Sequence, residues 1–181
     1  MEMENKKIKS AKIAARTFRT AGFGVEVTLA YCENPAFRVE SVGIAFGTGI
    51  NSKTGNRELN SLFGTLESWL NGGIAVLPLE NLGLEKLSSF EMKILCELRK
   101  RVSRGETVSY GELAKLAGFP GAARAVGTVM SKNPFPLFFP CHRVIKSGGA
   151  IGFFQGGPAG AGLKKALLDA EKMNIQWRSG E

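Results

Sequence analysis

Two helix-start signals of the same kind constrain the fold of residues 88–133 more tightly than any other feature of the sequence. Each is a serine followed three residues later by a glutamate, the capping-box spacing in which both side chains bond free backbone amides of a helix's first turn. The two pairs are Ser88 with Glu91 and Ser109 with Glu112. Gly118 is the residue type that ends helices, and AARAVGTVMSKN at 122–133 has the composition of a further helix. The segment therefore predicts three helices, the last two joined as a helix-turn-helix.

The residues before 86 predict a small sheet with a helix packed on it. GVEVTLAY and FRVESVGIAF, at 24–31 and 37–46, carry the β-branched and aromatic residues typical of strands. NRELNSLFGTLESWL, at 56–70, repeats leucine and phenylalanine at helical spacing. The basic segment KIKSAKIAARTFRT follows two glutamates, so we interpret it as the first element of the fold and not as a transit peptide.

The predicted fold class is α/β, in the α+β arrangement, with two domains. Residues 1–85 form a small amino-terminal domain of sheet and helix with a linker, because NGGIAVLPLENLG at 71–83 mixes the residues of a domain connection. Residues 86–181 form a mostly helical carboxy-terminal domain that contains the helix-turn-helix. No apolar run in the sequence approaches the ~20 residues that span a bilayer, so no membrane association is predicted.

The net charge of +8 lies entirely in the second predicted domain. Residues 1–85 contain nine Lys or Arg and nine Asp or Glu, whereas residues 86–181 contain fifteen and seven. A polyanion such as nucleic acid is the natural partner of so basic a domain. A solvated basic surface kept for solubility has the same signature.

The helix at 122–133 is poor in the side chains that read base edges. It offers alanines, a glycine and a threonine around a single Arg124, whereas helices in the major groove present Arg, Asn or Gln to the bases. Small side chains suit either a close approach to a nucleic-acid backbone or tight packing in a core. The sequence alone leaves both interpretations open.

The only histidine of the chain, His142, directly follows Cys141 in the motif PCHRV. The three cysteines are odd in number and far apart, which indicates neither disulfides nor a zinc site and favours a reducing cytoplasm without a metal. A thiol needs a base or a cation nearby to react, and His142 has the chemistry of that base. Because strand neighbours point to opposite faces, the pair cooperates only if the chain turns here, and Pro140 fits such a break. Asp169 and Glu171, on a later helix, are the candidates to orient the imidazole.

The motifs around this pair resemble the O6-alkylguanine-DNA alkyltransferase family, whose members take an alkyl group from guanine onto their own cysteine. The resemblance runs from about residue 88 to 172. It is carried by GETVSYGELAKLAG, AARAVGTVMSKNP, PCHRVI, SGGAIGFFQGG and LKKALLDAE, in the family's order. The Asn-Pro that stands eight residues before the cysteine of PCHRV makes the match specific.

The resemblance implies a repair protein that flips O6-alkylguanine out of double-stranded DNA and transfers the alkyl group irreversibly to its own cysteine, once per molecule. It also implies minor-groove binding with little sequence preference, a monomer, and no cofactor. By position, it implies a catalytic group, a substrate pocket and a DNA contact surface. The catalytic residues are Cys141, His142, Glu171, Asn133 and Tyr110; the pocket residues are Tyr110, Met130, Val144, Phe154 and Gln155; the DNA contacts are Arg124, Ala122, Ala123, Ser147 and Tyr110.

The resemblance also implies a task for each catalytic residue. Cys141 is the alkyl acceptor, His142 deprotonates it through a water, and Glu171, preferred to Asp169 by local match, holds the imidazole. Asn133 braces the turn that carries the cysteine. The two remaining tasks concern DNA. Tyr110 crowds the DNA phosphate that must rotate, and it also hydrogen-bonds the guanine. Arg124 fills the gap left by the flipped nucleotide.

Two pocket positions depart from the family pattern. Phe154 stands where the family usually has a tyrosine, so the aromatic wall is kept without its hydroxyl group. Gln155 is bulkier than the small residue usual there. We therefore expect the polarity of the pocket, and its tolerance of large adducts such as benzyl, to differ from those of typical members.

Three other functions fit parts of the sequence. A cysteine hydrolase is disfavoured by the basic half with its helix-turn-helix, and a transcriptional regulator by the alanine-rich helix. The closest alternative is a non-catalytic protein that binds alkylguanine damage. Relatives of that kind lack the acceptor cysteine, which this chain has.

Overall fold

The amino-terminal half folds into an antiparallel sheet covered by one helix. The computed structural model describes residues 11–20, 22–33, 36–73, 76–155, 157 and 160–178. The strands run in the order β1, β2, β3, each antiparallel to the next. Their bounds are Lys12–Thr20 for β1, Phe23–Cys32 for β2 and Arg38–Phe46 for β3; the helix α1 spans Arg57–Leu70.

The alternation of buried and exposed residues explains how the helix and sheet pack. In β2 every second side chain is buried, as expected for a strand with one face on a core. The apolar residues of α1 are buried at helical spacing, and Phe63 packs against Phe18 of β1 with ring centroids 6.0 Å apart. Both strands and the helix that the sequence predicts are therefore confirmed.

The strand β1 was not identified as a strand from the sequence, because basic residues interrupt its alternation. Arg16 faces the helix, and its guanidinium carbon lies 4.7 Å from the centre of the Phe63 ring. The aliphatic stem of an arginine can cover apolar surface while its charge stacks on an aromatic face. A charged residue thus occupies a position where the strand pattern expects an apolar one.

The carboxy-terminal half is mostly helical and contains the predicted helix-turn-helix. Both capping boxes are present, at Ser88 and Ser109, and Gly118 has a φ of +86°, which glycine tolerates best. The elements are α2 at Ser89–Arg101, β4 at Val108–Ser109, α3 at Tyr110–Leu116, α4 at Ala123–Lys132, β5 at Val144–Ile145 and α5 at Ala161–Arg178.

A short parallel ladder between β4 and β5 positions the functional site. Val108 pairs with Val144 and Ser109 with Ile145. The ladder ties the start of α3, where Tyr110 lies, to the residue that follows the Cys-His-Arg motif. Two segments that are far apart in the sequence are thereby held side by side.

The two halves also meet at the loop that precedes Cys141. The backbone amide of Val42 donates to the carbonyl of Pro134 at 2.7 Å. The Arg99 guanidinium donates to the carbonyls of Leu77, at 2.7 Å, and of Phe138, at 3.1 Å. Buried side chains of both halves belong to one apolar cluster. The domain boundary at residue 85 stays a prediction.

Candidate functional site

Cys141 and His142 lie in a single 3₁₀ turn, Cys141–Arg143, directly before β5. Pro140 precedes the turn with a φ of −76°, the value that its ring imposes. The chain therefore turns at the position where the sequence requires it to turn. Both side chains are buried, with Cys141 3% exposed and His142 fully enclosed.

The imidazole of His142 is held by Glu171 on α5. Its Nε2 lies 3.0 Å from Oε1 of the carboxylate. Because an ionised carboxylate only accepts, Nε2 carries the proton and Nδ1 has the free lone pair. Nδ1 is buried and has no hydrogen-bond partner among the described residues. The ring is thus oriented as a proton acceptor.

The carboxylate of Glu171 has further donors around it. The Arg143 guanidinium donates to both of its oxygens, at 2.8 to 3.2 Å, and the amide of Gly105 donates to Oε2 at 3.0 Å. Burial alone would raise the pKa of Glu171, but the charges and hydrogen bonds of His142 and Arg143 outweigh burial and hold its pKa well below the usual range. By contrast, Asp169 is exposed and pairs with Lys165 at 2.6 Å.

Burial sets the resting protonation state of the two reactive groups. It lowers the pKa of His142 and outweighs the opposite effect of Glu171, so the imidazole is neutral at neutral pH. Burial also raises the pKa of the Cys141 thiol, against the opposing effects of a hydrogen bond from Asn133 and the charge of Lys164. The thiol is therefore protonated at rest, and its reaction requires a base.

Asn133 braces the loop between α4 and the cysteine. Its side chain donates to the carbonyl of Phe139 at 2.9 Å and accepts from the amide of Phe135 at 3.0 Å. Leu137 lies between them with a φ of +73°, a conformation that costs energy for a residue with a side chain. Leu137 and Phe138 are each 1% exposed, so close packing maintains this conformation.

Lys164, on α5, is a member of the site that the sequence analysis missed. It is 1% exposed, and its Nζ donates to the carbonyl of Val144 at 2.5 Å. Burial lowers its pKa to about 8, against the opposing attraction of Cys141. A signal existed: Lys164 precedes Glu171 by seven residues, about two helical turns, so both lie on one face of α5.

Tyr110, Val144 and Phe154, of the residues predicted to form the pocket, lie near the 3₁₀ turn. Burial, and then the nearby Cys141, raise the pKa of the half-buried Tyr110. A β-carbon added to Gly152 would come within 2.9 Å of the Tyr110 hydroxyl, so the backbone at Gly152 packs closely on this phenol. Phe154 meets His142 edge-on, with ring centroids 6.4 Å apart. Val144, Met130 and Phe154 are buried, whereas Gln155 is exposed.

The residues predicted to contact DNA lie at or near the surface. Arg124 and Ser147 are exposed, and Ala122 and Ala123 are partly exposed at the start of α4. The buried side of α4 consists of Val126, Val129 and Met130. The exposed side of the helix therefore presents small residues around Arg124, which favours the close-approach interpretation over that of tight core packing.

The structure also bears on metal and membrane binding. Within the described residues, no three Cys, His, Asp or Glu side chains come together as a metal site would need. Across that same part of the chain, no helix combines the length and the apolarity that crossing a membrane requires.

Comparison with known proteins agrees with this geometry. The family model described as "6-O-methylguanine DNA methyltransferase, DNA binding domain" matches residues 89–173. A methylated-DNA–protein-cysteine methyltransferase from Mus musculus is 54% identical over 83 residues, which are 46% of this chain and 38% of the mouse protein. The matched region is thus well under two thirds of the mouse protein's length.

Mycobacterial proteins match more of the chain. A protein of the same name from Mycobacterium leprae is 41% identical over 121 residues, 59% of this chain and 72% of that protein. A solved structure of Mycobacterium tuberculosis OGT in complex with DNA superposes with a TM-score of 0.65 at 30% identity, covering 88% of this chain and 93% of that one. Its mixed fold, with a sheet followed by helices, is the fold predicted from this sequence.

Proposed function

This chain belongs to the O6-methylguanine-DNA methyltransferase family, and we propose that it repairs DNA by taking the alkyl group of O6-alkylguanine onto its own Cys141. One observation carries the proposal. The chain's only histidine lies beside Cys141 in a buried turn, with one ring nitrogen bonded to Glu171 and the other free to accept a proton. This arrangement activates a thiol that burial keeps protonated.

The reaction is a displacement at the alkyl carbon. Sγ of Cys141 forms a bond to that carbon while the bond from the carbon to O6 of guanine breaks, and the electron pair of the broken bond stays on the base. The thiol proton passes through a water to Nδ1 of His142, whose positive charge Glu171 stabilises. The Tyr110 hydroxyl bonds the guanine as its charge develops, and the restored base takes up one proton. The thioether has no ready reversal, so each molecule acts once.

Access to the alkyl carbon requires that the nucleotide leave the stacked duplex. Unstacking costs a few kcal/mol, and less for a damaged pair. The small residues of α4 suit the minor groove, and Arg124, exposed among them, fills the space that the nucleotide leaves. The carboxy-terminal domain, residues 86–181, carries the whole net charge. We therefore propose that a monomer binds double-stranded DNA with little sequence preference and with strong sensitivity to salt.

Mass analysis of the protein after mixing with a duplex that carries one O6-methylguanine tests the proposal. We expect a stoichiometric gain of one methyl group, located on Cys141 by peptide mapping. The gain should be lost in Cys141→Ser and kept in Cys96→Ser, because Cys96 is an exposed thiol on α2. An unmodified duplex of the same sequence is the control for DNA.

The other outcomes distinguish the alternatives. Tight, damage-specific binding without a mass gain would indicate the non-catalytic damage-binding protein, with Phe154 and Gln155 the first residues to revert. If the protein neither binds the damaged duplex nor takes up the methyl group, the proposal is contradicted. The cysteine hydrolase would then be tested with small esters.

A further inference from the structure

Trp69 lies where the amino-terminal half of the protein meets the His142–Glu171 pair. It is the penultimate residue of α1 and is partly buried. Its indole ring meets the imidazole of His142 edge-on, with centroids 6.2 Å apart and an interplanar angle of 86°. No other residue of α1 pairs with an aromatic ring of the site among the described residues.

Two guanidinium groups also lie over the Trp69 ring. The guanidinium carbon of Arg104 is 4.5 Å from the centre of the indole, and that of Arg143 is 5.9 Å away. Arg104 also donates a hydrogen bond to the backbone carbonyl of Trp69. Cations over an indole face are attracted by the electrons of the ring. The ring thus lies against the imidazole, against Arg143, which bonds the carboxylate of Glu171, and against Arg104, whose neighbour Gly105 bonds the same carboxylate.

The turn at residues 102–105 connects these contacts. At one end, the carbonyl of Val102 accepts from Arg143 at 2.7 Å. At the other end, the amide of Gly105 donates to Glu171 at 3.0 Å. Arg104 lies between them, on Trp69. Removing the indole would therefore take away the ring face on which Arg104 stacks. That stacking is one support of the turn, which bonds Glu171 through the Gly105 amide and Arg143 through the Val102 carbonyl.

We propose that Trp69 is a positioning residue, which holds His142 and Glu171 in register with Cys141 by packing against the imidazole and the two arginines. Through it, the amino-terminal domain takes part in alkyl transfer without contacting DNA or the reacting atoms. This inference rests on the proposed function for its kinetic test. It also has a test that requires neither DNA nor transfer, because His142 is the only histidine of the chain.

The first experiment titrates the His142 ring protons by NMR in the free protein. Burial lowers the pKa of His142, and the charged groups around it are Glu171 and Lys164 from α5, Arg143 beside it, and Arg104 behind the indole. In Trp69→Leu the imidazole loses the indole ring that packs against it and becomes more exposed to water. We expect its pKa to rise toward the ordinary value of about 6.5, and Trp69→Phe, which keeps a ring, to restore much of the original value.

The second experiment measures the rate of methyl transfer from duplex DNA in the same variants. A displaced catalytic group costs up to about 100-fold in rate, so we expect Trp69→Leu to be slower by about 10- to 100-fold, with DNA affinity unchanged. The matched control is Phe63→Leu. Phe63 lies on the same helix, also under a guanidinium, but its ring partner is Phe18.

Equal shifts of the His142 titration in Trp69→Leu and Phe63→Leu would overturn the proposal, because they would indicate general loosening of the fold. No shift in Trp69→Leu, or a shift with an unchanged transfer rate, would overturn it too. If the wild-type protein transfers no methyl group, the proposed function fails. The titration then decides alone whether Trp69 positions the pair, and a shift confined to Trp69→Leu supports it.

Discussion

Replacing Lys164 by methionine should stabilise the protein at neutral pH and slow alkyl transfer. Lys164 is almost fully buried, and its ammonium group has the carbonyl of Val144 as its hydrogen-bond acceptor. Methionine keeps most of the side-chain length without the charge. Transfer should slow because the charge of Lys164 opposes the rise in the pKa of the Cys141 thiol.

The size of the effect follows from the pKa of Lys164. Burial lowers it from 10.5 to about 8, and at about 1.4 kcal/mol per unit the buried charge destabilises the folded state by about 3 kcal/mol at pH 7. Removing the ammonium leaves the Val144 carbonyl without this donor, which costs about 1–3 kcal/mol. The net stabilisation of Lys164→Met at pH 7 is therefore about 0–2 kcal/mol.

The sign of the effect should reverse as the pH rises. Between pH 8 and 10.5 the unfolded chain holds the Lys164 proton more tightly than the folded protein does, so the folded wild type gains stability with pH through this group. Near the top of this range, at pH 10, the folded protein holds Lys164 neutral and most of the cost of burying the charge is gone, so the missing donor dominates the difference. Lys164→Met should then be less stable than wild type.

Urea unfolding of both proteins at pH 7 and pH 10 measures this reversal. The raised pKa of Tyr110 lowers the stability of both proteins as the pH rises and cancels in the difference. The pKa of Cys141 is raised further in the variant, which lacks the charge of Lys164, so its contribution acts in the same direction as the reversal. Lys165→Met is the control, because Lys165 is exposed and pairs with Asp169 at the surface. A difference in stability between Lys164→Met and wild type that does not change with pH would refute the reasoning.

Two further predictions concern the supports of the site. Glu171→Gln leaves Arg143 buried without its anion and should cost about 3–5 kcal/mol of unfolding free energy. Asp169→Asn, at an exposed ion pair, should cost less than about 1 kcal/mol. Equal losses of the two variants in urea unfolding would contradict the assignment of Glu171 as the partner of His142 and Arg143. Asn133→Ala removes the partners of the Phe139 carbonyl and the Phe135 amide and should cost about 2 kcal/mol or more. Ser131→Ala, at an exposed serine in the last turn of α4, should cost little. Thermal unfolding compares the two, and a stable Asn133→Ala would show that packing alone holds the loop.

The parts of the fold that were predicted correctly are those that depend on neighbours in the sequence. A capping box needs only two residues three apart, so the starts of α2 and α3 followed from Ser88 and Ser109, and the end of α3 followed from Gly118. Pro140 marked the turn at Cys141 for the same reason, since its ring restricts its own φ. The strand β1 was missed because Arg16 takes an inward position, which only its contact with Phe63 explains.

The parts of the site that could not be predicted depend on residues far apart in the sequence. Arg104 and Trp69 are 35 residues apart, and the amide of Gly105 is 66 residues from the carboxylate that it bonds. No local pattern in either segment indicates these contacts. The pairing of Glu171 with Arg143 was missed for this reason, although both residues lie within the motifs on which the family resemblance depends.

The burial of Lys164 and Cys141 has a common physical consequence. Burial favours the neutral form of each group over its charged form, because it lowers the pKa of the amine and raises that of the thiol. Their attraction opposes both shifts, and it is complete only when the amine is charged and the thiol is ionised. The cost of burying the ammonium is therefore present in the resting protein, while the benefit appears when the thiolate forms. A fixed charge placed where negative charge develops lowers the barrier without reorganisation. On the proposed mechanism, the instability that Lys164 causes and the reactivity of Cys141 have the same origin.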